Sequence, residues 1–187
     1  AEIAVAVMCR GDKGQPSKKI KDLGAVRKKE ARSAAKLLGA GLHWLGFDDG
    51  TLADGLAERR KLIETYRKFG ATLVLAHSPR DYHPDHCAAA AVAESASWFA
   101  ASPGHKTRSA PLPAPPALWW MDTVNMTEFE PELFIEMSEY LPTKHEMMAC
   151  HKSQLARAGD TNFTPLGQLM ERQAIVRGAQ AGVPAAE

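Results

Sequence analysis

The chain has 187 residues, 45% of them apolar and 24% charged, the proportions of an ordinary globular protein rather than a disordered or fibrous one. Lys and Arg number 23 against 22 Asp and Glu, for a net charge of +1, so no global field draws the chain to nucleic acid or to an anionic membrane surface. Cys9, Cys87 and Cys150 are too few and too widely spaced for a disulfide framework or a zinc knuckle, and they suit a reducing, cytoplasmic setting.

Ile3–Met8 is a short apolar run read as a buried strand, and the Gly/Pro/Lys-rich stretch Arg10–Asp22 as a loop. Asp22 is placed to cap a helix running to about Leu38, with Val26, Ala31, Ala34, Leu37 and Leu38 as its apolar stripe and Gly39 as its stop. His43–Leu45 reads as a short strand and Gly46–Thr51 as a turn. A helix over Leu56–Phe69 buries Leu62, Ile63, Tyr66 and Phe69 and ends at Gly70. Ala71–Ala76 is the clearest strand, Ser78–Pro84 a loop, and His83–Ala101 an alanine-rich helix with Pro84 in its first turn. After a Pro/Ser-rich connection come a strand over Ala117–Val124, with Trp119 and Trp120 expected in the core, and helices over Pro131–Leu155 and Pro165–Ala179. Solid apolar strands alternating with helices predict one α/β domain with a mostly parallel sheet and helices on both faces. In such folds ligands bind beyond the carboxyl ends of the strands, here the loops Arg10–Asp22, Gly46–Asp54 and His77–His86. No apolar run approaches the ~18 residues of a membrane-spanning helix, and no targeting segment is expected.

The densest chemistry is Asp81-Tyr82-His83-Pro84-Asp85-His86, which follows the clearest strand and opens a helix. Two imidazoles at i and i+3 share one side of a helical turn, and a neighbouring carboxylate can fix a ring's tautomer. One histidine then suits metal ligation and the other acid/base work; the bland alternative is a polar loop with surface histidines. His77, Asp81, Asp48 and Asp12 are the candidates for completing a metal site, and spacing does not choose among them. Arg27 sits early in a helix, against the macrodipole, as a cation serving a ligand or ion pair would, or simply on a solvated face. Asp48-Asp49-Gly50 is a turn suited to sugar hydroxyls or to plain Asx geometry. Gly11–Lys19 fails the phosphate-loop spacing, and there is no GxGxxG or GxSxG.

Together these segments resemble the PIG-L/LmbE family of metal-dependent N-acetylglucosaminyl deacetylases. The matching segments, in order, are Arg10-Gly11-Asp12-Lys13-Gly14, Arg27-x-x-Glu30-Ala31 with Leu37-Leu38-Gly39, Leu45-Gly46-Phe47-Asp48-Asp49-Gly50-x-Leu52, and Asp81 to His86. His151-x-Ser153-Gln154 and Arg177-Gly178 with Gly182 follow. The resemblance implies a Rossmann-like fold and a Zn²⁺ or other divalent cofactor. It implies His86 as a metal ligand, His83 as the oxyanion-stabilising proton donor, and Asp85 as the carboxylate holding His83. It implies Arg27 and Asp49 on the sugar hydroxyls, with Tyr82 near the reacting carbonyl. Nothing matches the family's A-H-P-D-D segment, so the chain is expected to be a fragment truncated at both ends. The expected activity is hydrolysis of the N-acetyl amide of an N-acetylglucosamine-type conjugate, with a small-molecule substrate, no nucleic acid and the oligomeric state (a homo-oligomer included) left open. The alternative is a catalytically inactive carbohydrate-binding protein of the same fold; a nucleotide-binding module is disfavoured by the absent glycine fingerprint.

Overall fold

The computed structural model describes residues 1–157 and 165–187. Its elements run β1 (Ala4–Cys9), α1 (Leu23–Leu37), β2 (Gly41–Phe47), α2 (Leu56–Phe69), β3 (Leu73–His77), α3 (Pro84–Ala100), β4 (Ala117–Met121), α4 (Leu141–Ala149), α5 (Lys152–Leu155) and α6 (Leu166–Ala181). β1 pairs with β2, and β3 with β4. The expected α/β class with parallel strands is observed. The chain divides into two compact units, one of Ala1–Val5, Arg10–Leu42 and Val124–Glu187, the other of Ala6–Cys9 and His43–Thr123.

In the second unit, α2 follows its predicted range and ends on Gly70, whose φ of 73° is the left-handed conformation that a side chain would strain. β3 runs in parallel register with β4, from Leu73 opposite Ala117 to His77 opposite Met121. Alternation along a strand sends neighbours to opposite faces. Val74, Ala76, Leu118 and Trp120 therefore join Leu45, Leu62, Ile63, Tyr66, Val92, Ala93 and Ala96 in one apolar cluster. Leu75 and Trp119 face the other way and are exposed, so only one of the two expected core tryptophans is core. The strand is shifted from the predicted Ala71–Ala76, which makes His77 its last residue rather than part of the loop. The alanines of α3 remove side-chain bulk, so α2 and α3 pack closely over the sheet. Arg67 is buried, and its guanidinium donates to the carbonyls of Phe99, Ala100, Ser102 and His105 and to Thr107 Oγ1. It ties the end of α3 and the turn after it to α2, adding a second donor to carbonyls such as Ala100 O, which also accepts from Leu112 N at 3.0 Å.

In the first unit, Asp22 caps α1 as predicted, its carboxylate accepting from Ala25 N at 3.3 Å. Leu23, Ala34 and Ala35 are the buried apolar residues of α1, whereas Leu37 and Leu38, expected in the stripe, are exposed. The helix predicted over Pro131–Leu155 is instead a 3₁₀ turn (Ser138–Tyr140) followed by α4 and α5. Pro142 explains the break: it lacks an N–H and fits only in a helix's first turn, where α4 places it. A small cluster of Met137, Ala174 and Ala185 ties α6 to the C-terminal strand segment, which bridges Glu136 to Ala186. Gly178 permits this approach, since a Cβ there would lie 2.7 Å from the Val183 carbonyl oxygen. Among the described residues no helix is long and apolar enough to cross a membrane.

Candidate functional site

The segment from His77 to His86 joins the end of β3 to the first turn of α3, the position beyond a strand's carboxyl end where such folds bind ligands. Pro84 opens the helix and His83 is its N-cap. That cap is made by a ring: the Asp85 backbone N–H donates to His83 Nδ1 at 3.2 Å. The lone pair of Nδ1 is thus in use, and a neutral His83 carries its proton on Nε2.

His86 is set the other way. Its Nδ1 lies 3.0 Å from Asp81 Oδ1, and a carboxylate oxygen can only accept. Nδ1 therefore carries the proton, and the Nε2 lone pair is left for a ligand, the arrangement in which a carboxylate orients a metal-binding imidazole. The Asp81 side chain is only 4% exposed, and Oδ1 also accepts from His83 N at 2.9 Å. One carboxylate oxygen thereby fixes both the loop and the ring.

His77 completes the cluster. Its ring stacks on His86 with centroids 4.1 Å apart and planes 6° from parallel. Burial, and next the neighbouring His86 charge, push its pKa down to about 4, so its ring is neutral at physiological pH. Tyr82 is 54% exposed and meets His83 and His86 edge-on, at 6.1 and 5.7 Å between centroids. Partial desolvation, then the Asp81 charge, raise its phenol pKa.

Whether these residues fit a divalent cation is tested by their donors. Ligand atoms of His77, Asp81 and His86 all lie within 4.8 Å of one another. Imidazole and carboxylate are the donors zinc and related divalent metals take. The donor set fits. Of the sequence candidates for completing a site, Asp48 is exposed in its turn and Asp12 pairs with Arg10 at 3.3 Å.

Asp85 departs from its expected role. Its buried carboxylate accepts from Gly50 N at 2.7 Å and Leu52 N at 3.2 Å. It anchors the turn that carries Asp49, and its link to His83 runs through its backbone N–H. The reason is the helix start: an N-cap ring must accept from the backbone ahead, which aims His83 Nδ1 at an N–H and leaves the Asp85 side chain for the turn. Asp49, half-buried, is held beside an anchored Gly50.

Arg27 lies in the first unit and is buried. Its guanidinium donates to the carbonyls of Gly11 and Gly14 and to Gln154 Oε1 at 2.9 Å. Glu30 accepts from Ser153 N at 2.8 Å and Ser153 Oγ at 2.6 Å. The Arg27-x-x-Glu30 and His151-x-Ser153-Gln154 segments, 127 residues apart at Arg27 and Gln154, are thus partners. Complementary charge and hydrogen-bonding capacity were the only sequence signal of that pairing. His151 beside them has its pKa lowered, first by burial.

A family model described as PIG-L: GlcNAc-PI de-N-acetylase matches residues 1–97, more than half of the chain. The chain belongs to the PIG-L family. This PIG-L chain is also 27% identical, over 192 residues, to 4-oxalmesaconate hydratase of Pseudomonas putida, covering 95% of this chain and 70% of that protein. Among solved structures, the N,N'-diacetylchitobiose deacetylase of Pyrococcus horikoshii superposes with a TM-score of 0.85 at 21% identity, over 100% of this chain and 71% of that one. GalB, the 4-carboxy-2-hydroxymuconate hydratase of Pseudomonas putida, superposes with a TM-score of 0.81 at 23% identity, over 99% and 81%. These two likenesses show the shared fold. In this PIG-L chain, the sequence named His77 and Asp81 only among several candidates for completing a site; the fold brings both beside His86.

Proposed function

We propose that this chain is a metal-dependent hydrolase that removes the N-acetyl group from an N-acetylglucosamine-type amino-sugar conjugate, with Zn²⁺ as first choice of metal. The observation that carries the reading is the opposite use of Nδ1 in His83 and His86. It equips one ring as a ligand through Nε2 and the other as a donor through Nε2–H. A divalent cation at His86 supplies Lewis-acid polarisation of a carbonyl and a more acidic water at neutral pH. His86 Nε2 is the atom that would hold it, with Asp81 keeping the proton on Nδ1.

The chain's own residues do the rest. His83 Nε2–H hydrogen-bonds the oxygen that gains charge as water adds to the amide carbon, and the proton that the attacking water gives up goes to the departing amine as the C–N bond breaks. Acetate and a free amino sugar are the products. Tyr82 lines the rim above both rings. Asp85 acts as a positioning carboxylate, holding the turn from which Asp49 is offered to sugar hydroxyls. Arg27 orders the Gly11–Gly14 loop through its carbonyls. Three free cysteines fit a reducing, cytoplasmic setting.

A second reading, hydration of an unsaturated tricarboxylic acid, is favoured by the hydratase likeness that spans 95% of the chain. The two reactions share addition of water to an electrophilic carbon and differ in whether a C–N bond breaks. The test presents N-acetylglucosaminyl conjugates and a conjugated tricarboxylate in parallel, each with and without a chelator. Chelator-sensitive release of free amine, abolished by His86→Ala, is expected. Loss of diene absorbance without amine release would transfer the assignment to hydration, and chelator-insensitive turnover would remove the metal. Sugar binding without turnover would leave a carbohydrate-binding protein.

A further inference from the structure

His86 makes ring contacts with His77, His83 and Tyr82, and the one with His77 has a geometry that separates two roles. A ligating imidazole holds its metal in the ring plane, about 2.0–2.1 Å from nitrogen. The rings of His77 and His86 are 6° from parallel with centroids 4.1 Å apart. Stacked planes do not meet near the rings. An ion midway between them would lie almost along each ring's normal, where there is no lone pair. As placed, the two imidazoles cannot share one ion.

The backbone around His77 suits a different task. His77 ends β3 and lies opposite Met121 in the parallel β3–β4 register, so its ring projects from a hydrogen-bonded strand. His86 projects from the first turn of α3. Asp81 contacts the edge of the His86 ring at Nδ1, which fixes its rotation within the plane. The stack fixes the plane itself. Together these two contacts leave Nε2 one direction.

We propose that His77 is a positioning residue, a flat platform that sets the plane of the His86 imidazole for metal binding without itself ligating the metal. This rests on the reading of His86 as a ligand. His77→Phe keeps a flat ring and removes both nitrogens; His77→Ala removes the platform. Co²⁺ is titrated into the folded chain by calorimetry and by visible absorbance. The metal-free proteins are examined by long-range ¹⁵N–¹H correlation of the His86 ring.

His77→Phe should bind Co²⁺ about as tightly as the native chain, whereas His77→Ala should bind it about 10–100-fold more weakly, the usual cost of losing an orienting contact. In the metal-free spectra His86 should show a single Nδ1–H tautomer in the native chain and in His77→Phe, and averaged ring-nitrogen shifts in His77→Ala. Equal loss of Co²⁺ affinity in both variants would make His77 a ligand and overturn the proposal. Unchanged affinity and tautomer in His77→Ala would overturn it from the other side. If the native chain bound no Co²⁺, the ligand role of His86 would fall, and the metal-free spectra would still decide whether His77 orders that ring. If His77→Ala did not fold, His77→Phe alone would decide, because a phenyl ring can stack but cannot ligate.

Discussion

His83 and His86 lie with ring centroids 4.7 Å apart and use the same ring atom in opposite senses. Nδ1 of His83 accepts from the Asp85 backbone, and Nδ1 of His86 donates to the Asp81 carboxylate. Two imidazoles three residues apart thus have their Nε2 atoms in different states, one protonated and one bare. The division is made by local backbone geometry: a helix N-cap takes an acceptor, and a buried loop carboxylate takes a donor.

The first consequence concerns His83. Replacing it by Ala removes an oxyanion hydrogen-bond donor worth about 10²–10³-fold in rate and a helix cap worth about 1 kcal/mol. The expected result is kcat/KM down by that range, a slightly lower Tm, and an unchanged stoichiometry of bound Zn²⁺. Loss of zinc in His83→Ala would mean that both rings ligate.

Asp81 separates charge from shape. Asp81→Asn keeps an oxygen able to accept from His83 N and from His86 Nδ1 but removes the negative charge, so metal affinity should fall by about 10-fold. Asp81→Ala removes both bonds and should approach 100-fold. Calorimetric titration of Zn²⁺ reads both values. An Asn variant as weak as the Ala variant would point to direct ligation by the carboxylate.

Asp85 has a distinct signature. Its two oxygens serve two N–H groups, Gly50 and Leu52, and an amide offers only one acceptor oxygen. Asp85→Asn should leave one part-buried N–H without its acceptor, at about 1 kcal/mol, and loosen the Asp49 turn. KM for the amino-sugar conjugate should rise more than kcat falls. A fall confined to kcat would instead return Asp85 to the role of electrostatic partner for His83.

Much of this was legible in the sequence where one residue carries the signal. Asp22 before an apolar periodicity, Pro84 after a strand and Gly70 after a helix each announce a boundary, and the structure has each one. The DYHPDH segment was visible as chemistry because it follows the clearest strand. What was hidden depends on contacts between distant residues. Asp85 could have faced His83 or the Gly50 turn, and only the fold decides. His77 lay one residue past the predicted strand, and a one-residue extension converts it from loop to strand end. Pro142 was the missed local signal: read as a breaker, it would have divided the helix drawn across Pro131–Leu155.

Arg67 tests the far end of α3. Its buried guanidinium makes five bonds to Phe99, Ala100, Ser102, His105 and Thr107. Arg67→Met keeps the stem and removes every donor, leaving the end of α3 and the turn after it without their tie to α2, and should cost about 2–4 kcal/mol. The site lies at the other end of a 17-residue helix, about 25 Å away at 1.5 Å per residue. Chemical denaturation should therefore show the loss while Zn²⁺ affinity of the folded fraction stays within about 2-fold. A matching loss of zinc affinity would mean that α3 transmits strain along its length.

Tyr66 supplies a dependence on pH. It is 8% exposed in the apolar cluster, and burial raises its phenol pKa well above the ordinary 10, with the nearby Ser97 hydroxyl opposing. Above about pH 10 the unfolded chain releases this proton while the folded chain retains it, so the unfolded state binds fewer protons and stability falls as pH rises. The contribution is fully present below the unfolded pKa and is lost through the alkaline range. Tyr66→Phe removes the titration and keeps most of the packing. Unfolding free energies measured from about pH 8 to about pH 11 should differ by a constant up to about pH 10 and then shift steadily in favour of the phenylalanine variant. Parallel curves across the whole range would show that the hydroxyl reaches solvent in the folded chain.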